Sequence, residues 1–256
     1  MTADATPLAP PVFIVGCGHS GTTLLLAMLS AHPRVHGVPY ESKLFQRDPA
    51  ERPDLVARFE AETRAAGKAR WLEKTPRHIL HLDELFGSFP AARVVLMMRD
   101  GRDVACSIRD RTGDLDEGIR RWVDDNAAAD PFRDHDGVLV LNYEELVADP
   151  EAALRRVTDH LGEPFEPAML AHHRSDFRFY GGVNNMEKFK ETIDRLEEPP
   201  PSVSGANHRL YRSWQARQPL FDGRGRWREK MAPEEVERFL ERARDPLVRY
   251  GYDPDA

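Results

Sequence analysis

The chain of 256 residues carries 36 basic and 43 acidic side chains, a formal charge of −7, with 41% hydrophobic and 31% charged residues. That mixture suffices for one sizeable core and argues against disorder, and the acidic balance argues against general nucleic-acid binding. Two cysteines, Cys17 and Cys106, exclude a disulfide scaffold or a Cys-rich zinc module. The longest apolar stretches, 12–15 and 24–29, fall far short of the ~18–20 residues of a membrane span, so none is expected.

Residues 1–11, rich in Pro and Ala, are expected to form a loose tail. They place no positive charge ahead of an apolar run, so no secretory signal is read and a cytoplasmic protein is expected. Residues 12–16 are fully apolar, the pattern of a strand buried in a parallel sheet. A Gly-rich turn follows, then a helix over 22–31 that stops before Pro33. Residues 34–38 offer a second strand, and helical patterns cover 55–66 and 78–86. Residues 93–98 form a clear buried strand, followed by a turn and a helix through Arg109. A helix over 116–129, a strand over 138–142 and a helix over 151–161, ended by Gly162, complete the pattern. Strands alternating with helices predict an α/β fold of three layers, with a mostly parallel sheet and helices on both faces.

The periodicity degrades after Pro164. Residues 172–223 contain few periodic apolar positions, the adjacent Gly181 and Gly182, and three prolines at 199–201. An irregular acceptor-side lid is expected there. A last helix runs from Pro233 to about Arg244, with Glu234 and Glu235 in its first turn. The whole of 1–256 reads as one domain.

The turn Gly16-Cys17-Gly18-His19-Ser20-Gly21-Thr22-Thr23 lies between a strand and a helix, where backbone N–H groups cradle phosphate-like anions. It has the spacing of a Walker A loop, with Thr22 where the lysine belongs. Without that lysine, γ-phosphoryl transfer loses its main charge stabiliser, which weakens a small-molecule or nucleotide kinase reading. After the strand at 93–98, Arg99 stands at the strand end and Ser107 on the next helix. Both can face the edge where α/β folds bind ligands, one as a planar fork for phosphate and one as a hydroxyl donor.

Together these segments resemble the PAPS-dependent sulfotransferases, PAPS being 3′-phosphoadenosine 5′-phosphosulfate. Glu73-Lys74-Thr75-Pro76 is similar to the Lys-Thr-Pro motif of the carbohydrate and bacterial branches, and Tyr143-Glu144-Glu145-Leu146 to the segment beside the adenosine. The resemblance covers 12–162 and extends to Gly225-Arg226-Trp227-Arg228. It implies a P-loop-like fold, PAPS as co-substrate, PAP as product, no required metal, and a hydroxyl acceptor on a small molecule or glycan. It implies nucleotide contacts from Gly18, His19, Ser20, Gly21, Thr22, Thr23, Arg99, Ser107, Tyr143, Arg226 and Trp227. By the same resemblance Glu41, in Tyr40-Glu41-Ser42-Lys43, is the general base, with His36 its rival, and Lys74 is the cation near the bridging oxygen and acceptor.

His19 departs from the relatives, which place Lys or Arg in that position. A histidine beside a bound phosphosulfate is expected to be drawn toward its charged form unless burial opposes it. The departure keeps alive an inactive PAP- or PAPS-binding protein as an alternative. Residues 209–230 hold seven basic side chains against Asp222 and Glu229, a candidate anion cap. The pairs His78/His81 and His172/His173 lack converging acidic or thiol ligands, so zinc is not expected. Acceptor identity and oligomeric state stay open at this level.

Overall fold

The computed structural model describes residues 7–200 and 207–255. The elements in chain order are β1 Val12–Gly16, α1 Thr22–Ser30, β2 Val35–Gly37, α2 Arg52–Ala65, β3 Arg70–Lys74, α3 Leu82–Ser88 and β4 Arg93–Met98. They continue with α4 Gly101–Thr112, α5 Leu115–Ala129, β5 Val138–Asn142, α6 Tyr143–Ala148 and α7 Pro150–Leu161. The C-terminal third adds α8 Val183–Asp194, α9 Asn207–Gln215, α10 Trp227–Lys230 and α11 Pro233–Arg249.

The five strands pair in parallel throughout, in the order β2-β3-β1-β4-β5. Alternation along β1 divides the core between two faces. Val12 and Ile14 pack with Leu25 and Leu29 of α1 and Leu154 and Val157 of α7. Phe13 and Val15 pack on the opposite face with Phe59 of α2, Trp71 and Leu85 of α3. This is the expected three-layer α/β arrangement. A third cluster, around Trp122 and Phe239, joins α4, α5 and α11.

β3 is absent from the sequence reading because three of its five residues are charged. Each charge is buried with a partner: Arg70 with Glu163 at 2.8 Å, Glu73 with Ser42 and Thr75, and Lys74 with Glu41 at 2.8 Å. Ion pairing thus fits these side chains into an interior strand where apolar residues were the expected signal. The segment 172–223 also differs from expectation, since it contains α8 and α9 rather than irregular chain throughout; its residues 201–206 lie outside the described residues. Of the predicted tail, residues 1–6 lie outside them too, whereas the Ala9 N–H donates to the Ala69 carbonyl at 2.9 Å and Leu8 packs on the core. The predicted helix at 78–86 is a tight 3-10 segment, Pro76–His81, that leads into α3.

The connection from β1 runs toward β2, and that from β4 runs the other way toward β5. These strands are neighbours, so their carboxyl ends flank a crevice at a topological switch point. The Gly-rich loop leaves β1 and Arg99 leaves β4, both at that crevice.

Candidate active site

The loop conformation depends on two glycines. Gly16 has φ +151°, and a Cβ there would lie 2.5 Å from the Met97 carbonyl of β4. Gly21 has φ +88°, and a Cβ would lie 2.7 Å from Cδ2 of Tyr143. Between them His19 adopts a left-handed φ of 73°. α1 starts with no side-chain cap and no acidic residue in its first turn, so its N–H groups remain available to an anion. Gly18, His19, Gly21, Thr22 and Thr23 line a cleft of about 600 Å³. Ser20 turns inward instead, its hydroxyl buried and unpartnered.

Arg99 and Ser107 enter from β4 and α4. Arg99 donates to the His19 carbonyl at 3.2 Å and the Gly223 carbonyl at 2.5 Å, and its guanidinium lies 4.3 Å from the Tyr143 ring centroid. The Ser107 hydroxyl meets Nδ1 of His19 at 2.8 Å. Nε of Arg99, Arg111 and Arg121, three residues that line the cleft, are buried without hydrogen-bond partners. The Asp103 carboxylate accepts from the N–H groups of Gly225 and Trp227, both at 2.9 Å, and so ties the 225–227 segment to α4. Arg226 thereby reaches the cleft. Trp227 does not: its ring is buried in the α4–α5–α11 cluster beneath Arg102, at 4.1 Å.

On the opposite wall, Glu41 Oε1 accepts from Lys74 Nζ at 2.8 Å and from Arg212 Nη2 at 2.7 Å. Burial works to raise the Glu41 pKa, but the two cations overcome it and hold the carboxyl well below the usual range. Burial also pushes the Lys74 ammonium down to about 8, against the pull of Glu41. Lys74 Nζ lies 4.2 Å from the Phe179 ring centroid. Beneath this pair, Glu73 accepts from Ser42 Oγ at 2.7 Å and Thr75 Oγ1 at 2.6 Å, and it faces His78 Nδ1 at 3.1 Å. That network locks the Glu41 loop onto the end of β3. His36, the rival base, lies on β2 near Glu62 at 3.8 Å and does not line the cleft.

Burial opposes the drift of His19 toward its charged form. Desolvation lowers its pKa well below the ordinary value, and Arg212, Arg111, His208 and Arg121 lower it further. Both influences favour the uncharged ring. The cleft is nonetheless strongly basic, for Arg77, Arg111, Arg121 and Arg212 also line it. Arg111 follows Ser107 by four residues on α4, so helical spacing alone would have placed it on the same face. Arg121 on α5 and His208 on α9 carry no such local signal. Among the described residues, no group of three His, Cys, Asp or Glu is positioned to hold a metal ion, and no helix is long and apolar enough to cross a membrane.

A profile of the sulfotransferase family matches residues 10–58 and 44–167. Protein-tyrosine sulfotransferase 1 of Danio rerio is 27% identical over 285 residues, spanning 96% of this chain and 73% of that protein. Among solved structures, the sulfotransferase domain of the Synechococcus PCC 7002 olefin synthase superposes with a TM-score of 0.59 at 19% identity, covering 99% of this chain and 98% of that one. Mouse sulfotransferase SULT7A1 complexed with PAP superposes with a TM-score of 0.60 at 16% identity, covering 94% and 89%. At these identities the structural likeness speaks to the fold.

Proposed function

The chain belongs to the sulfotransferase family, and on that premise we propose that it moves a sulfuryl group from PAPS to a hydroxyl of a small molecule or glycan, with Glu41 as general base. The observation that carries this reading is convergence. An uncapped Gly-rich loop, the Arg99–Ser107 pair and Glu41 line one basic cleft, with the buried Lys74 hydrogen-bonded behind Glu41. The residues present fit the nucleotide, since the unpartnered Nε donors of Arg99, Arg111 and Arg121 belong to side chains that line the cleft and suit phosphate oxygens chemically.

PAPS, when bound, supplies the sulfuryl group and a phosphate leaving group. Arg99 and Ser107 hold the 3′-phosphate, and the N–H groups of 18–23 hold the 5′ end. Tyr143 and Arg226 flank the nucleotide. Glu41 takes the proton of the acceptor hydroxyl, and Lys74 places a point charge where negative charge develops. A carboxylate clamped by two cations is a weak base, so Glu41 gains basicity only as Lys74 and Arg212 turn toward incoming negative charge.

A protein tyrosine is a second reading of the acceptor, favoured by the Danio relative that spans 96% of this chain and by the basic cleft. Incubation with PAPS and a panel of sugars, alcohols, phenols and acidic tyrosine peptides, followed by mass spectrometry, tests both. Sulfation of peptides alone overturns the small-molecule reading. Absence of turnover together with tight PAP binding supports an inactive nucleotide-binding protein instead.

A further inference from the structure

The loop position that lacks a cation has one beside it, delivered by a distant helix. Arg212 on α9 reaches back to the first turn of α1, where Nη2 donates to Thr23 Oγ1 at 3.0 Å. The same nitrogen donates to Glu41 Oε1 at 2.7 Å. Its guanidinium lies 5.0 Å from the ring centroid of Phe179, the ring that also underlies Lys74. Arg212 therefore stands between the anion-binding loop and the carboxylate proposed as base. His208, four residues earlier on the same helix, brings its ring to 5.8 Å from the His19 ring.

We propose that Arg212 supplies, from α9, the positive charge that position 19 of the loop does not carry, and that it is directed at the group transferred rather than at the nucleotide's phosphates. The assignment rests on the sulfotransferase reading above. His19 is faced by Arg212 and His208 from α9, by Ser107 and Arg111 from α4, and by Arg121 from α5. A second cation at position 19 would meet this cluster at close range, so the loop and α9 present alternatives for one charge. His19 remains neutral and serves as a hydrogen-bond partner of Ser107. When Glu41 takes the acceptor proton it loses its negative charge, and Arg212 then has its full charge to offer the oxygens of the sulfuryl group in transfer.

The test uses the wild type, Arg212→Gln, Arg212→Lys, His19→Arg and the double variant Arg212→Gln/His19→Arg. Calorimetry gives each Kd for PAP and for PAPS. Arg212→Gln is expected to weaken PAPS by about tenfold or more while PAP changes little, and Arg212→Lys to retain most of the difference. His19→Arg is expected to restore PAPS affinity when combined with Arg212→Gln and to bring no gain where Arg212 is present. In parallel, the ring proton of His19 followed by NMR is expected to titrate at higher pH in Arg212→Gln. Equal loss for both nucleotides, or a double variant no better than Arg212→Gln, overturns the assignment. A wild type that binds neither nucleotide overturns the sulfotransferase reading itself, a result distinct from either of those.

Discussion

Lys74 has no exposed surface and, among the described residues, a single carboxylate partner within salt-bridge distance, Glu41 at 2.8 Å. Its ammonium titrates at about 8 in the folded chain, against about 10.4 when unfolded. At about 1.4 kcal/mol per pH unit, keeping it charged at neutral pH costs about 3 kcal/mol. The folded chain binds this proton less tightly than the unfolded chain. The cost is therefore fully present below pH 8 and relieved as pH rises from about 8 to about 10.4. Glu41→Gln removes the charge-assisted hydrogen bond, worth about 1.5–3 kcal/mol, and should carry the Lys74 midpoint down to roughly 6–7. The substitution then removes two things at once at pH 7, the base and the proton on Lys74. Because only six of the 36 basic residues are Lys, isotope-labelled lysine gives a spectrum in which the Lys74 amine can be followed directly. In the wild type, kcat/KM is expected to fall on the alkaline side with the same midpoint, since the free enzyme's essential groups set that limb. His19→Lys should leave the limb in place, because His19 is already neutral there. A Lys74 midpoint that stays near 8 in Glu41→Gln, or one near 10.4 in the wild type, refutes the reasoning.

Three further substitutions probe other parts of the site. Arg99→Ala is expected to weaken PAP by about 10–100-fold through loss of a charge-assisted pair while barely changing the analogue without the 3′-phosphate; equal losses by calorimetry would make Arg99 structural. Gly21→Ala forces a Cβ to 2.7 Å from the Tyr143 ring at φ +88°, and is expected to cost about 1–3 kcal/mol in denaturant unfolding along with nucleotide affinity. An unchanged midpoint would show that the loop relaxes. Asp103→Ala leaves the buried N–H of Trp227 and that of Gly225 without their acceptor, at about 1–3 kcal/mol apiece. Faster hydrogen exchange confined to 223–231 is the expected signature, and protection there equal to wild type would refute the tie.

Much of the proposed nucleotide side was legible from local spacing. The strand at 12–16 and its glycine turn, the strand at 93–98 and the Arg99–Ser107 interval each sit within one strand-turn-helix unit, where sequence distance settles which side chains share an edge. The apolar runs that make those strands recognisable are the same runs that bury them. β3 defeated that logic because Arg70 and Lys74 are buried as ion pairs with Glu163 and Glu41, and Glu73 is buried against the hydroxyls of Ser42 and Thr75; an interior strand whose charges are satisfied in this way has no apolar signature. Helix α9 was missed for a related reason, since it presents its Arg212 and His208 to a cleft instead of a continuous apolar stripe to the core.

Residue types and their intervals pointed to the loop and the Arg99 fork, and the family resemblance to Glu41 and Lys74. Their charge states were not in the sequence. Glu41 is ionised and clamped because Lys74 comes from β3 and Arg212 from α9. The His19 pKa is held well down by desolvation and by guanidinium groups from α9, α4 and α5. A pKa is set by solvent exclusion and by Coulomb interactions with whatever lies within a few ångströms, and here those neighbours are up to 193 residues away along the chain, a proximity only the packed fold creates.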